Sequence, residues 1–151
     1  MDTEFKIKEL TSWADIELIC GQQKIEFSAS YVYPDSFSEL ATALVDLKTK
    51  KKTSAVVTFD LERDGLLYFI FTTYPQELIR LSVYQHIVWD DYENLFEDQP
   101  MPVPIFESIL PDIHYFSRMT ATEFEKYGKE GFSAWENDFF DDRIIQMKTG
   151  Y

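Results

Sequence analysis

The sequence predicts an α+β protein with an antiparallel sheet of about five or six strands, one helix after the first strands and C-terminal helices packed on the sheet. Apolar and polar residues alternate at a spacing of two through the first half, which indicates strands. Apolar residues recur at helical spacing in later stretches. Aromatic residues make up 17% of the 151 residues, enough to build a packed core.

The first strands are predicted from alternation near the N-terminus. Phe5 and Ile7 alternate with charged residues, which indicates a half-buried strand near 4–10. Two more alternating runs follow, one on each side of a turn at 21–23. Their apolar members are Ile16, Leu18, Cys20, Ile25, Phe27, Ala29 and Tyr31. We therefore expect these two runs to be antiparallel neighbours.

A helix is predicted at about 36–49, after Pro34 ends the strand. Ser36 and Glu39 have the spacing of a capping box. The lysine-rich stretch 48–52 lies where the helix dipole favours cations. It could also bind nucleic acid, but the acidity of the chain favours the structural role. The residues on one helical face are Phe37, Leu40, Ala41, Leu44 and Leu47.

Three further strands are predicted after this helix. Alternation runs from Ala55 to Leu61, and Asp64-Gly65 indicates a hairpin turn. The stretch from Leu66 to Phe71 is apolar on both faces, which predicts an interior strand. A turn at 74–76 precedes a last strand from Leu78 to His86.

The C-terminal part is predicted to be an acidic loop at 90–98 followed by helices. A helix is expected over 104–127, and Pro111 would kink it or mark the start of a second helix. Gly128 would end it as a C-terminal cap, and a short final helix is expected at about 140–148. The apolar residues whose helical spacing predicts the longer helix are Phe106, Ile109, Leu110, Ile113, Phe116 and Phe124.

The charge restricts the classes of partner. The net charge is −13, of which residues 90–151 contribute −9. Such a field repels phosphate backbones and anionic lipids, so neither nucleic acid nor a membrane is an expected partner. A basic protein would be attracted, although the acidity could also serve only solubility. We find no composition break, and we expect one domain over 1–151.

The compartment is predicted from cysteine usage. Cys20 is the only cysteine, and the start of the chain does not resemble a signal peptide, so a cytoplasmic location is expected. Cys20 lies in an apolar strand, where a cysteine is more often a small core residue than a reactive thiol.

No motif predicts catalysis, a metal or a cofactor. The stretch Asp60 to Gly65 opens like a calcium loop, but its twelfth position is Phe71 rather than a bidentate acid, so a hairpin tip is favoured. The only histidines are His86 and His114, with no nucleophile motif around them. The glycines are too widely spaced for a phosphate-binding loop. We therefore predict a protein that is not an enzyme.

Two clusters of acidic and aromatic residues predict a site for a basic partner, because aromatic residues anchor interfaces and carboxylates steer association. The alternative is that the aromatic rings close the core where the sheet meets the last helices. The predicted partner-binding residues are Trp89, Asp90, Asp91, Tyr92, Glu93, Trp135, Asp138, Asp141 and Asp142.

The chain resembles small acidic immunity proteins of bacterial polymorphic and contact-dependent toxin systems. The similar parts are the run from Phe27 to Tyr31 leading into Pro34-Asp35-Ser36, the following Leu40/Leu44/Leu47 helix, and the run from Lys126 to Phe132 leading to Trp135. The resemblance covers about half of the chain in scattered pieces. It implies a stoichiometric inhibitor of a toxin domain, often a nuclease, and offers no catalytic residues to carry over to this chain.

Three functional hypotheses follow. The first is an immunity-type protein that masks a basic toxin. The second is an interaction module for another partner, and the third is a small enzyme with an unrecognised carboxylate or histidine site. A deep pocket that joins a histidine to carboxylates would favour the enzyme.

Overall fold

The computed structural model describes residues 3–74, 78–86 and 103–149. Within these ranges the chain is α+β, with antiparallel sheets and three helices. The strands are β1 (Thr3–Leu10), β2 (Trp13–Cys20), β3 (Gln23–Ser30), β4 (Ser54–Asp60), β5 (Leu66–Thr73), β6 (Ile79–His86) and β7 (Phe106–Leu110). The helices are α1 (Ser36–Lys48), α2 (Ile113–Gly131) and α3 (Phe139–Lys148). None of the helices in the described ranges is both long and apolar enough to cross a membrane.

The strands of the described ranges form two sheets, in the orders β1-β2-β3 and β4-β5-β6-β7. The predicted class and antiparallel pairing are confirmed, but the prediction of one sheet with five or six strands is wrong. Short turns join β1 to β2, β2 to β3 and β4 to β5, whereas β7 pairs with β6 although 19 residues separate them in the sequence. The connection from β3 to β4 contains α1, and these two strands do not pair. Alternation shows which face of a strand is buried, but not which strand lies beside it.

The prediction of a helix from residue 104 is also wrong, because residues 106–110 form β7. Phe106 pairs with Val83, and Leu110 pairs with Ile79. A spacing of four residues fits one face of a helix and also one face of a strand, so the positions of these two residues could not distinguish a strand from a helix. The helix begins after Pro111, at Ile113, as the second alternative for that proline expected.

Several other predictions are confirmed. The stretch from Leu66 to Phe71 lies in β5, an interior strand. Helices α1 and α3 lie within one residue of their predicted starts and ends. Gly128 breaks the helical geometry of α2 with a φ of 69°, which glycine adopts without strain, although a last turn follows to Gly131.

The core is organised around the ring of Phe37 in α1. Its centroid lies 4.7 Å from that of Trp135 and 5.0 Å from that of Phe132. Phe124 of α2 lies at 5.8 Å and Phe59 of β4 at 6.1 Å. All four contacts have the edge-to-face geometry that aromatic pairs prefer. One side chain of α1 therefore contacts the second sheet, α2 and the segment before α3.

Helix α2 covers the free edge of β1. The backbone N–H of Ile7 donates to Glu123 Oε2 at 2.8 Å, and that of Phe5 donates to Met119 Sδ at 3.3 Å. The hydroxyl of Tyr127 donates to the carbonyl of Ile7. These bonds replace a neighbouring strand, so this edge cannot pair with another chain.

Helix α1 covers part of the free edge of β4 in the same way. The N–H of Thr58 donates to Glu39 Oε1 at 2.9 Å, and Ser36 Oγ donates to the carbonyl of Thr58 at 2.6 Å. The predicted capping box is therefore wrong. Asp35 is the N-cap residue, it makes no side-chain cap bond, and both members of the proposed box are turned to the strand.

We expect Glu123→Ala to lower the free energy of unfolding by about 1–3 kcal/mol, because it leaves the N–H of Ile7 buried without an acceptor. The matched control is Glu125→Ala on the same helix. Glu125 makes an exposed ion pair with Lys148 at 2.8 Å, and its loss should cost less than about 1 kcal/mol. Urea unfolding of both variants checks this. Equal losses of unfolding free energy in the two variants would show that the bond from Ile7 to Glu123 contributes no more than an exposed ion pair.

Cys20 is 4% exposed and lies in the core. Burial raises the pKa of its thiol, and hydrogen bonds with Ser108 and Thr3 oppose the shift. We expect the thiol of the folded protein to react slowly with iodoacetamide at neutral pH, because the thiolate is the nucleophile. Cys20→Ser should lower the free energy of unfolding by about 1–2 kcal/mol without changing binding. Fast alkylation of the folded protein would contradict this.

Candidate functional site

A cleft of about 540 Å³ lies between the edge of β3 and one end of the second sheet. One wall is formed by β3, and the other by the turn from β4 to β5 together with the end of β6 and the residue before β7. Its apolar lining consists of Trp13, Ile25, Phe27, Leu61, Leu67 and Ile105. Its polar lining consists of Glu26, Ser28, Glu62, Arg63, Asp64 and Gln85.

The far wall is the predicted hairpin turn, which is confirmed. The N–H of Glu62 donates to Asp60 Oδ1 at 2.7 Å, and the N–H of Leu61 donates to the carbonyl of Gly65 at 2.8 Å. Gly65 has a φ of 91°, which favours glycine, and Glu62 has a φ of 56°. This tight turn presents the carboxylates of Glu62 and Asp64 at the cleft. No group of three or more metal-ligating side chains forms among the residues that the structure describes.

Trp13 is the exposed aromatic residue of the cleft. Its side chain is on the solvent face of the first sheet, and 41% of the residue is exposed. Thr11 holds its backbone, because the N–H of Trp13 donates to Thr11 Oγ1 at 3.1 Å and the N–H of Thr11 donates to the carbonyl of Trp13 at 2.8 Å. An exposed, well-supported indole next to carboxylates can form an interface anchor.

Trp13 is not among the predicted site residues, although the sequence contains a signal for its exposure. Ala14, Ile16 and Leu18 form the buried set of β2. Trp13 is out of phase with them, on the same face as Asp15. A tryptophan in the polar phase of an amphipathic strand predicts an exposed ring.

Trp135, one of the predicted anchors, is a core residue. It is 4% exposed and contacts Phe37. Its indole N–H donates to the carbonyl of Thr11 at 2.8 Å, so it supports the turn that carries Trp13. This ring closes the core, which was the alternative to its predicted role as a binding anchor. The ring is not available as an exposed anchor.

The predicted carboxylates of α3 are on the surface. Asp138 is the N-cap residue, and Asp141 and Asp142 are in the first turn, where the helix dipole favours negative charge. Asp141 pairs with Lys129 at 2.9 Å, and Asp142 lies 3.8 Å from Arg143. These carboxylates are exposed, but the ring predicted to accompany them is buried. The other predicted residues, Trp89 to Glu93, lie outside the described ranges.

Glu26 on the β3 wall belongs to an ion-pair network across the first sheet. Its carboxylate accepts from Lys8 at 2.8 Å and lies 3.3 Å from Lys24. The hydrogen bond from Lys8 is the largest cause that lowers the pKa of Glu26 to about 2. Glu17 and Glu26 in turn raise the pKa of Lys8. Glu26 therefore stays ionised in the cleft at any physiological pH.

Lys8→Met should raise the pKa of Glu26 from about 2 towards its ordinary value of 4.5. Because the folded-state pKa is depressed, the stability that this carboxylate contributes is present above about pH 4.5 and is lost as the pH falls towards 2. NMR titration of the Glu26 side chain measures the shift. The control is Lys6→Met, which removes a pair with Glu4 on the same strand and should leave Glu26 unchanged.

The two histidines do not form a catalytic arrangement within the described ranges. His86 is exposed at the end of β6. His114 is in the first turn of α2 rather than mid-helix, and it lines a depression of about 500 Å³ with Asp112 and three lysines. Asp112 is the N-cap of α2 and accepts from the N–H of Tyr115 at 3.0 Å. One of the lysines, Lys48, donates to the carbonyl of Thr149 at 2.8 Å.

Comparisons of the chain with models of protein families, with curated proteins and with solved structures gave no match. No residue role can therefore be carried over from a relative. The resemblance to immunity proteins stays a prediction, and the roles of the cleft residues follow from their exposure, charge and packing.

Proposed function

We propose that this protein is a non-catalytic, cytoplasmic binding protein of the immunity type, which neutralises a basic toxin domain by direct contact. The contact is made at the cleft around Trp13. The observation that carries the proposal is the combination in one cleft of a 41% exposed indole with three carboxylates and one arginine. Buried aromatic anchors supply binding free energy, and carboxylates around them select a basic partner.

The charge of the whole chain supports the same partner. A net charge of −13 raises the local concentration of a basic protein around the molecule before contact. Glu62 accepts from Ser30 Oγ at 2.9 Å, which orients its carboxylate without neutralising it. Asp64 takes part in none of the ion pairs among the described residues. Both carboxylates are therefore available to basic side chains of the partner.

The cleft shape favours binding over catalysis. It contains neither histidine, and its polar groups are carboxylates, an arginine, a serine and an amide on an open surface. Gln85 Nε2 donates to the carbonyl of Asp64 at 2.8 Å, which fixes the far wall. An open and acidic surface suits a stoichiometric inhibitor.

Surface-based kinetics at two salt concentrations test the proposal, with a basic toxin domain found encoded next to the gene as the partner. Glu62→Gln with Asp64→Asn should lower the association rate constant by about threefold or more at low salt and less at high salt, because steering is screened. Trp13→Ala should raise the dissociation rate constant by about tenfold or more, because it removes a packed anchor.

Asp141→Asn with Asp142→Asn is the matched control, since it removes two exposed carboxylates on α3. It should change association less than the cleft pair does. A larger effect of the α3 pair would move the site to the surface that the sequence predicted. If tight binding is indifferent to salt and to all of these substitutions, the site lies elsewhere and the acidity serves solubility.

A further inference from the structure

We propose that the free edge of β3 binds an extended, basic segment of the partner, which adds to the first sheet as a fourth strand. The inference rests on the proposed function and specifies how the cleft recognises its partner. In this binding mode main-chain hydrogen bonds hold the segment, and alternate side chains select it.

The edge strands of the two sheets differ in whether a helix bonds their outward backbone groups. Helix α2 bonds the edge of β1, and α1 bonds the edge of β4, as described above. The edge of β3 has no such cover in the described ranges, and the four consecutive residues 25–28 line the cleft. A strand whose both faces line one cavity presents its edge to that cavity.

The hydrogen-bond alternation identifies the backbone groups that face the cleft. The N–H of Tyr31 donates to the carbonyl of Ser12 at 2.9 Å, so residue 31 bonds towards β2. In an antiparallel pair every second residue bonds the same neighbour. Phe27, four residues earlier, therefore bonds β2, and the N–H and C=O groups of Glu26 and Ser28 point to the open edge. They form a ready-made ladder for another strand.

The opposite wall explains why the segment should be basic. A strand added beside β3 would lie about 4.8 Å from it, inside the cleft. Its side chains would then lie near Glu62 and Asp64 of the turn and Glu26 of β3. The cleft lining contains these three carboxylates and only one arginine. Glu26 is already paired with Lys8 and Lys24. Alternate lysine or arginine side chains therefore pair with the two carboxylates of the turn, while the apolar lining accepts the intervening aliphatic residues.

The same charges disfavour the other occupants. A second copy of the chain also carries −13, so two copies repel each other. The chain's own residues 87–102 contain five carboxylates and no lysine or arginine. Both would bring negative charge to a cleft that already holds it.

Amide hydrogen exchange of the intact protein, measured by NMR, tests the inference. The first probe is the neighbouring toxin domain, and the second is a capped ten-residue peptide of alternating lysine and valine. Each should slow exchange at Glu26 and Ser28 by about tenfold or more, because new ladder bonds protect outward amides. Phe27, which already bonds β2, should change less. Contact through side chains alone would not produce this alternation.

The peptide control separates backbone pairing from charge. Twins of the peptide that are N-methylated at every second residue, in both phases, keep the charge and remove half of the N–H donors. The twin methylated on the side facing β3 should bind about tenfold more weakly, the expected effect of losing several hydrogen bonds. Equal binding of both twins and the parent would overturn strand addition.

Ser28→Pro tests the protein side, with Ser28→Ala as its control. Proline removes an N–H that points to the open edge, a position where edge strands accept proline. It should weaken binding of both probes about tenfold, whereas alanine keeps the N–H and should stay within about threefold. If the proline variant does not fold, the exchange pattern of the unmodified protein decides.

The outcomes separate the two proposals. Tight, salt-dependent binding of the toxin domain without alternate protection of β3 would overturn strand addition and leave the proposed function standing. Protection at β7 instead would also overturn it, as would a photo-crosslink to residues 87–102 of the same chain from a maleimide-benzophenone attached to a Trp13→Cys variant. Alternate protection by the peptide with no binding of the toxin domain would confirm the edge and refute the immunity function.

Discussion

Edge-to-face packing around Phe37 is the interaction on which the remaining structure depends. The two sheets are not joined by strand pairing, so their relation is set by side chains between them. Phe37 contacts Phe59 of the second sheet and Phe124 of α2, whose ring also lies 6.2 Å from Phe5 of the first sheet. Such rings have few conformations and large contact areas, which fixes the angle between layers more tightly than aliphatic packing would. A smaller residue at position 37 would remove the contacts with Phe59 and Phe124 together.

The same cluster supports the candidate site at a distance. Phe37 packs on Trp135, whose indole bonds the carbonyl of Thr11, and Thr11 holds the backbone of Trp13. A core tryptophan thus fixes the turn that presents an exposed one. Packing at the centre of the molecule therefore supports the backbone that carries Trp13. A substitution in the core should affect the cleft through this backbone.

Carboxylates serve two different purposes in this acidic chain. Glu39 and Glu123 are directed to strand edges and accept backbone N–H groups, which removes those edges from intermolecular pairing. Glu62 and Asp64 are held on a tight turn in front of the edge of β3. Net charge alone does not distinguish these roles. What distinguishes them is whether an unpaired backbone group lies within hydrogen-bond reach of the carboxylate.

The sequence by itself determined the antiparallel α+β class, the positions of α1 and α3, and the interior place of β5, because each depends on local periodicity and on which face is apolar. Tertiary structure decided the rest. The pairing of β7, the separation into two sheets and the use of Ser36 and Glu39 on β4 depend on neighbours that are distant in sequence. Acidic and aromatic composition predicted two anchor tryptophans, but of the described residues Trp135 lies inside, while Trp13, for which no role was predicted, lies exposed at the cleft. Composition cannot place a ring, because burial is set by the phase of its strand and by the layer that packs against it.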